Sequence, residues 1–268
     1  MGAAARSGTA AVAGGAPMFD LSGRVAVVTG GGRGIGKAIV EGLAAHGAHV
    51  VVCGRAQAAL DDTVAGLRDQ GLKASALRMD VTREHEVASV RAWLLAEHGG
   101  IDILVNNAGI DPHYASMEKT TAEQWTEIIE VNLTGVFRCC RLLGETMLAR
   151  RRGAIINISS IAGHIGLKRQ VPYGASKGGV EQLTKSLAHD WAEHGVRVNA
   201  IAYGFVETDL TAGMTAHPHI SARLLARIPL ARFGQTSEVA GAAVFLASDA
   251  ASYVTGHSLL VDGGWTAT

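Results

Sequence analysis

The octapeptide Thr29-Gly30-Gly31-Gly32-Arg33-Gly34-Ile35-Gly36 constrains this chain more than any other stretch. It closes the β-branched run Val25 to Thr29 and opens a helical pattern without a gap. In that helix, expected over Gly36 to His46, Ile39, Val40 and Leu43 recur at helical spacing before Gly47, a residue suited to a left-handed cap. A second apolar run, Val50 to Cys53, follows. Strand, glycine turn, helix and strand in this order make a βαβ unit, whose helix N-terminus offers unpaired N–H groups and a positive dipole end to a phosphate. Gly30 then permits the tight turn, Gly34 the approach of a pyrophosphate, and Gly36 the close packing of helix on strand.

The alternation continues to the end of the chain. Further strands are expected at Ala76 to Met79, Ile103 to Asn106, Ala154 to Ser159, Val196 to Ala202 and Ser258 to Val261. All seven read as nearly continuous apolar runs, as strands do when helices cover both faces of a parallel sheet. The expected fold is therefore α/β: one Rossmann-like, doubly wound parallel sheet of about seven strands over residues 19–268. Met1 to Pro17 is almost entirely Ala, Gly, Ser and Thr around Arg6, too little apolar area to offset ordering entropy, so 1–18 is expected to be a disordered tail.

With 24 basic side chains against 24 acidic ones, the chain is not a polycationic nucleic-acid binder. Arg150-Arg151-Arg152 reads as a solvated turn, and Trp93 and Trp125 as packing residues. The 3 cysteines, Cys53, Cys139 and Cys140, form no CxxC pair and suit a reducing, cytoplasmic compartment. No apolar run reaches the roughly 18 residues of a membrane span, and His217-Pro218-His219 lacks a third ligand in sequence, so neither membrane nor metal is expected.

Tyr173 and Lys177 stand four residues apart on one helical face, and Ser160 ends the fifth strand thirteen residues before Tyr173. Asn106-Asn107-Ala108-Gly109 ends the fourth strand, Asn132 follows within Val131-Asn132-Leu133-Thr134-Gly135, and Val261-Asp262-Gly263-Gly264 lies near the C-terminus. With a TGxxxGxG loop, this set resembles the short-chain dehydrogenase/reductase family over about residues 19 to 265. The resemblance implies a catalytic tetrad of Asn132, Ser160, Tyr173 and Lys177. Tyr173 would exchange a proton with a carbonyl or alcohol oxygen that Ser160 also holds, while Lys177 favours the phenolate and Asn132 holds a water behind the lysine.

The resemblance also implies a nicotinamide dinucleotide on Gly30, Arg33, Gly34, Ile35, Gly36, Arg55, Asp80, Val81, Asn107, Ala108, Gly109, Tyr173, Lys177, Val206 and Thr208. Where an NAD site places a carboxylate after its second strand, this chain has Gly54 and Arg55. With Arg33, Arg55 offers planar donors to a 2′-phosphate, so NADP(H) is the expected cofactor and NAD(H) the alternative. One departure is plain: the family's Pro-Gly after the sixth strand is here Tyr203-Gly204. Tyr203 is expected to shape a substrate pocket with His113, His164 and Gln170, under a lid spanning about 203–230. The motifs Phe19-Asp20-Leu21-Ser22-Gly23 and Gln170-Val171-Pro172-Tyr173 resemble members acting on sugar acids and polyols, such as gluconate 5-dehydrogenases. A 3-oxoacyl-carrier-protein reductase or broad carbonyl reductase is the enzymatic alternative, and a cofactor-sensing scaffold the other. Family members commonly form homotetramers, and the apolar stretches Ala240 to Leu246 and Leu259 to Val261 permit that here.

Overall fold

The computed structural model describes residues 18–208, 211–215 and 217–267. The expected tail at 1–17 and part of the expected lid, at 209, 210 and 216, lie outside the described residues. Met18, the last residue assigned to the tail, is exposed.

The chain alternates as its apolar runs demand. In order come β1 (Val25–Thr29), α1 (Gly34–Ala45), β2 (His49–Gly54), α2 (Gln57–Asp69), β3 (Ala74–Arg78), α3 (Glu84–His98) and β4 (Ile103–Asn106). Next are α4 (Ala122–Ile129), a π-helical turn Glu130–Thr134, α5 (Gly135–Arg150), β5 (Gly153–Ser160), α6 (Val171–Trp191) and β6 (Val196–Tyr203). The short helices α7 (Ala212–Thr215) and α8 (Pro218–Leu225) precede α9 (Thr236–Ala247) and β7 (Ser258–Val261). All strands are parallel, in the order β3-β2-β1-β4-β5-β6-β7.

Local signals set the helix limits. Thr121 and Gln124 form a reciprocal capping box on α4, as Gln235 and Glu238 do on α9, and Gly99 ends α3 in the left-handed region. Apolar side chains then bury on both faces of the sheet. One core joins Val28, Val50 and Ile156 to Ile39 and Leu43 of α1, Leu60 and Val64 of α2 and Val244 of α9. The other joins Val27, Val51 and Ile155 to Leu94 of α3, Leu143 of α5 and Val180 of α6. Each such aliphatic side chain contributes about 1.5–3 kcal/mol when fully buried. Most of the Ala240 to Leu246 stretch is spent in the first core, whereas Leu260 on edge strand β7 is 43% exposed.

Three expectations need adjusting. Arg150 and Arg152 are not merely a solvated turn: both guanidiniums converge on Asp102, which is 2% exposed and also accepts from the Val25 N–H at 2.9 Å. A buried carboxylate needs such partners. Trp93 packs against the second core as expected, but Trp125 is 38% exposed. Asn132, expected in the helix that follows β4, sits in the π-helical turn between α4 and α5.

The sheet order reverses between β1 and β4. Ligands of open α/β sheets bind in the crevice outside the carboxyl ends of the strands at such a switch point. The glycine loop leaves β1 there and the Asn106-Asn107-Ala108-Gly109 segment leaves β4 beside it.

Candidate active site

Four strand ends and one helix face build the site. β5 delivers Ser160, and β6 places Tyr203 in register with it, so both side chains leave the sheet on one face. The first turn of α6, with Pro172 in its opening turn, presents Tyr173, and Lys177 follows one turn later. Tyr173, Lys177 and Ser160 are all buried, at 9%, 4% and 6% exposure.

The hydroxyls of Ser160 and Tyr203 both act on the titration of the Tyr173 phenol. Ser160 Oγ accepts from the Ala162 N–H at 3.2 Å, which leaves its proton to donate toward Tyr173. Burial pushes the Tyr173 phenol well above its ordinary range, the neighbouring Tyr203 adds to that, and the Ser160 hydrogen bond opposes it. Lys177 Nζ donates to the Ile158 carbonyl at 2.7 Å and lies 5.7 Å from the centre of the Tyr173 ring. Burial lowers its ammonium to about 8, although Glu181 and Asp111 pull the other way. Asn132, fully buried, exchanges hydrogen bonds with the Ile110 backbone, N–H to Oδ1 and Nδ2 to O, both at 2.8 Å, and donates to Ser176 Oγ at 3.3 Å. The π-helical turn thus aims Asn132 at the loop after β4, beside the helix that carries Tyr173.

The glycine loop fits a dinucleotide. Gly30 adopts φ +67°, and a Cβ there would lie 2.9 Å from Asn107 Nδ2. At Gly36 a Cβ would meet the Gly30 carbonyl at 2.2 Å, so α1 packs on the loop as closely as backbone allows. Thr29 Oγ1 accepts from the N–H groups of Asn107 and Ala108, both at 3.0 Å, and Asn107 Nδ2 donates back to Thr29 and Gly30 carbonyls. Asn107 therefore locks the two strand ends together. The first turn of α1 has no acidic residue and Arg33 makes no side-chain cap, leaving its N–H groups and dipole to an anion. Ile35 turns into the core. Thr208 approaches from the segment after β6: its methyl would lie 3.9 Å from a Cβ at Gly34. Val206 is buried and bridges to Gly234, which anchors that segment.

Arg33 and Arg55 are exposed at the carboxyl ends of β1 and β2. Asp80 accepts from Thr82 N–H and Oγ1 at 2.9 and 2.8 Å. Burial raises this carboxyl, but the Thr82 bonds with the Arg55 and Arg83 charges outweigh it and hold it below the usual range. Val81 packs in the core next to it, and Gly109 is exposed within 3.7 Å, as an added Cβ, of Lys177 Nζ.

The structure brings Tyr203 to the Tyr173 hydroxyl and Gln170 to the same entrance, where Gln170 Nε2 donates to Asp111 Oδ2. His113 pairs with Glu127 of α4 at 2.8 Å. His164 is drawn elsewhere: its Nε2 contacts Ser258 at 3.1 Å and the buried Glu181 at 3.2 Å. Ser258 is level with Ala200, three residues down the sheet from Tyr203, roughly 10 Å along the strand. A buried carboxylate on α6 thus recruits the imidazole. Sequence reasoning expected the whole stretch Ile110 to Tyr114 after β4 to set specificity without singling out Asp111, which the structure does. Among the described residues no group of three or more His, Cys, Asp or Glu side chains converges as a metal site. No described helix is long and apolar enough to cross a membrane.

A phenol buried over a buried ammonium, at the switch point of a doubly wound sheet with a glycine loop, defines the class: a dinucleotide-binding oxidoreductase. A family model described as enoyl-(acyl carrier protein) reductase matches residues 30–266. Gluconate 5-dehydrogenase of Gluconobacter oxydans is 41% identical over 249 residues, 93% of this chain and 97% of that protein. A 3-oxoacyl-[acyl-carrier-protein] reductase of Synechocystis sp. is 44% identical over 249 residues, 92% of this chain and 98% of that protein. The crystal structure of a gluconate 5-dehydrogenase from Burkholderia cenocepacia in complex with NADP and tartrate superposes with a TM-score of 0.90 at 39% identity, covering 94% of this chain and 98% of that one. This chain belongs to the short-chain dehydrogenase/reductase family and is an oxidoreductase acting on CH–OH and C=O groups.

Proposed function

We propose that the chain interconverts a secondary alcohol and a ketone on a hydroxyl-rich small molecule, a sugar acid or polyol, using NADP(H) in preference to NAD(H). The observation that carries this is the buried Tyr173 phenol, with Ser160 acting on its hydroxyl and the Lys177 ammonium 5.7 Å from its ring centre. When bound, the dinucleotide supplies or takes the hydride. Everything else is the work of side chains. In oxidation, Tyr173 Oη takes the alcohol proton, and in reduction it returns one to the carbonyl oxygen. Ser160 donates to that same oxygen as negative charge develops on it. Lys177 stabilises the phenolate, and Asn132 holds the loop after β4 in place through Ile110.

Gly30, Gly34, Gly36 and the first turn of α1 take the pyrophosphate in this reading. Arg33 and Arg55 take the 2′-phosphate, Asp80 and Val81 border the adenine, and Asn107, Ala108, Gly109, Val206 and Thr208 line the nicotinamide half. His113, Gln170 and Tyr203 face the substrate beneath the segment 203–230, while His164 steadies the turn before α6. NADP in the Burkholderia cenocepacia complex supports the cofactor, and the gluconate 5-dehydrogenase relatives support the substrate class. In the same reading the protein is a cytoplasmic homotetramer. The Synechocystis relative supports reduction of 3-oxoacyl thioesters as a second reading.

Initial rates with NADPH and NADH over gluconates, polyols, acyl thioesters and aryl ketones separate these readings. Tyr173→Phe is expected to lower kcat by about 10²–10⁴-fold for whichever substrate turns over best. A Phe variant that keeps the parent rate removes the proposed proton transfer.

A further inference from the structure

Between the two loops that frame the pocket lies a carboxylate that the proton transfer leaves unused. Gln170 Nε2 donates to Asp111 Oδ2, whereas Asp111 Oδ1 is buried and accepts no hydrogen bond from any described residue. Buried polar atoms are ordinarily paired, and one left open beside a reacting group marks a place that a ligand completes. The carboxylate is also fixed in direction. Gln170 is the residue before α6, three before Tyr173, so Asp111 is tied to the helix that presents the phenol. Two more contacts join the same loops: the Ala115 N–H donates to the Arg169 carbonyl at 3.1 Å, and the Arg169 guanidinium stands 5.7 Å from the Tyr114 ring centre.

Charge narrows what can sit there. Asp111 is half-buried, and its charge acts on Tyr173, Tyr203 and Lys177. A carboxylate brought beside it would place two like charges together out of water, and an ammonium would face Lys177. A neutral hydroxyl meets neither penalty and donates the hydrogen bond that Oδ1 lacks.

We propose that Asp111 is the specificity-determining residue of the pocket: Oδ1 accepts a hydrogen bond from a hydroxyl on the carbon next to the reacting carbon. The substrate is then a neutral vicinal diol of the polyol type, or the matching α-hydroxy ketone, and a carboxylate on that neighbouring carbon is excluded. This rests on the alcohol and ketone reading above and narrows it. In the oxidative direction the reacting carbon gives its hydride to the oxidised dinucleotide and its O–H proton to Tyr173, forming the ketone, while the second hydroxyl keeps its proton and stays on Asp111.

The test compares kcat/KM, at saturating NADP+, for the stereoisomers of cyclohexane-1,2-diol, cyclohexanol, 2-aminocyclohexanol and 2-hydroxycyclohexanecarboxylate. For the full-length wild-type chain the best diol is expected to exceed each of the other three by at least about tenfold, since a buried acceptor rejects analogues that cannot pair with it. Asp111→Asn keeps an acceptor and removes the charge, so it should retain the preference over cyclohexanol and lose most of the exclusion of the carboxylate. Asp111→Ala should bring the diol to within about threefold of cyclohexanol. A wild-type enzyme that favours the carboxylate, the amine or cyclohexanol overturns the proposal whether or not the variants fold, and so do variants that keep every wild-type ratio. Absence of turnover of any of these alcohols, of their ketones, and of the wider panel with either dinucleotide overturns the oxidoreductase reading itself, a result distinct from turnover with the wrong order.

Discussion

Tyr203 stands where the chain leaves β6, a position the family fills with proline, level with Ser160 and close enough to Tyr173 to act on its titration. A proline there could neither donate nor accept through its side chain. The second phenol therefore changes the proton chemistry of the first. Tyr203 raises the Tyr173 phenol by its charge and by their shared hydrogen bond, against the lowering by Ser160. Removing the Tyr203 hydroxyl in Tyr203→Phe should bring Tyr173 down. Alcohol oxidation needs Tyr173 as phenolate, so its rate climbs as pH rises through that group's pKa, and the climb should begin at lower pH in the variant. The measurement is kcat against pH for the preferred alcohol; a limb that stays where it was in the parent rules the coupling out. At this scale the proposed tetrad was legible only through the family resemblance that Asn132, Ser160, Tyr173 and Lys177 carry, because a tyrosine and a lysine four residues apart specify no chemistry by themselves. Tyr203 announced itself as a departure. Asp111 did not stand out within Ile110 to Tyr114, because its partner Gln170 is 59 positions away.

Elements were legible where an apolar run coincides with the paired length of a strand. β1, β4 and β7 span the same residues as their apolar runs, and β5 and β6 extend those runs by a residue or two. β3 was displaced, expected at Ala76 to Met79 and found at Ala74–Arg78, because its limits follow its pairing with Val50 to Gly54 of β2, and Ser75 and Arg78 carry no apolar signal. The π-helical turn was hidden for a different reason, since it depends on what Asn132 can reach across to Ile110. The join of β1 to α1 was the most legible element and gives the sharpest test. A methyl at Gly36 would have to push aside the backbone carbonyl of Gly30 and the Asn107 amide, which its bonds to the Thr29 and Gly30 carbonyls hold in place, an overpacking of about 1–3 kcal/mol. For a chain of this size that is about 2–12 °C of melting temperature. Gly36→Ala should also weaken NADPH binding by at least about tenfold, because the displaced carbonyl belongs to the phosphate turn. Fluorescence titration with NADPH beside a thermal melt decides it: a variant that melts and binds like the parent refutes the close packing.

For the whole molecule, the doubly wound sheet does two opposing things at once. It gathers strand ends and helix starts into one crevice, and it buries there an ammonium that would be more stable in water. Lys177 is 4% exposed, its proton donated to a backbone carbonyl, and burial lowers it to about 8 from the usual 10.5. The sign follows from proton uptake. Below pH 8 both folded and unfolded chains carry the charge, and the folded state bears the full cost of burying it. Between about pH 8 and 10.5 the unfolded chain still binds the proton while the folded chain has released it, so stability attributable to this group rises with pH. Going from pH 7 to 9.5 the gain is about 2 kcal/mol, or about 4–8 °C in melting temperature. Lys177→Met lacks this titration and shares nearly every other titrating group, which makes the difference between the two proteins the informative quantity. Wild-type protein should gain on the Met variant as pH rises from 7 to 9.5 in paired calorimetric melts. A constant gap across that range would mean that the lysine is hydrated or better paired than its place between α6 and β5 indicates, and that the fold sustains no such tension between stability and proton transfer.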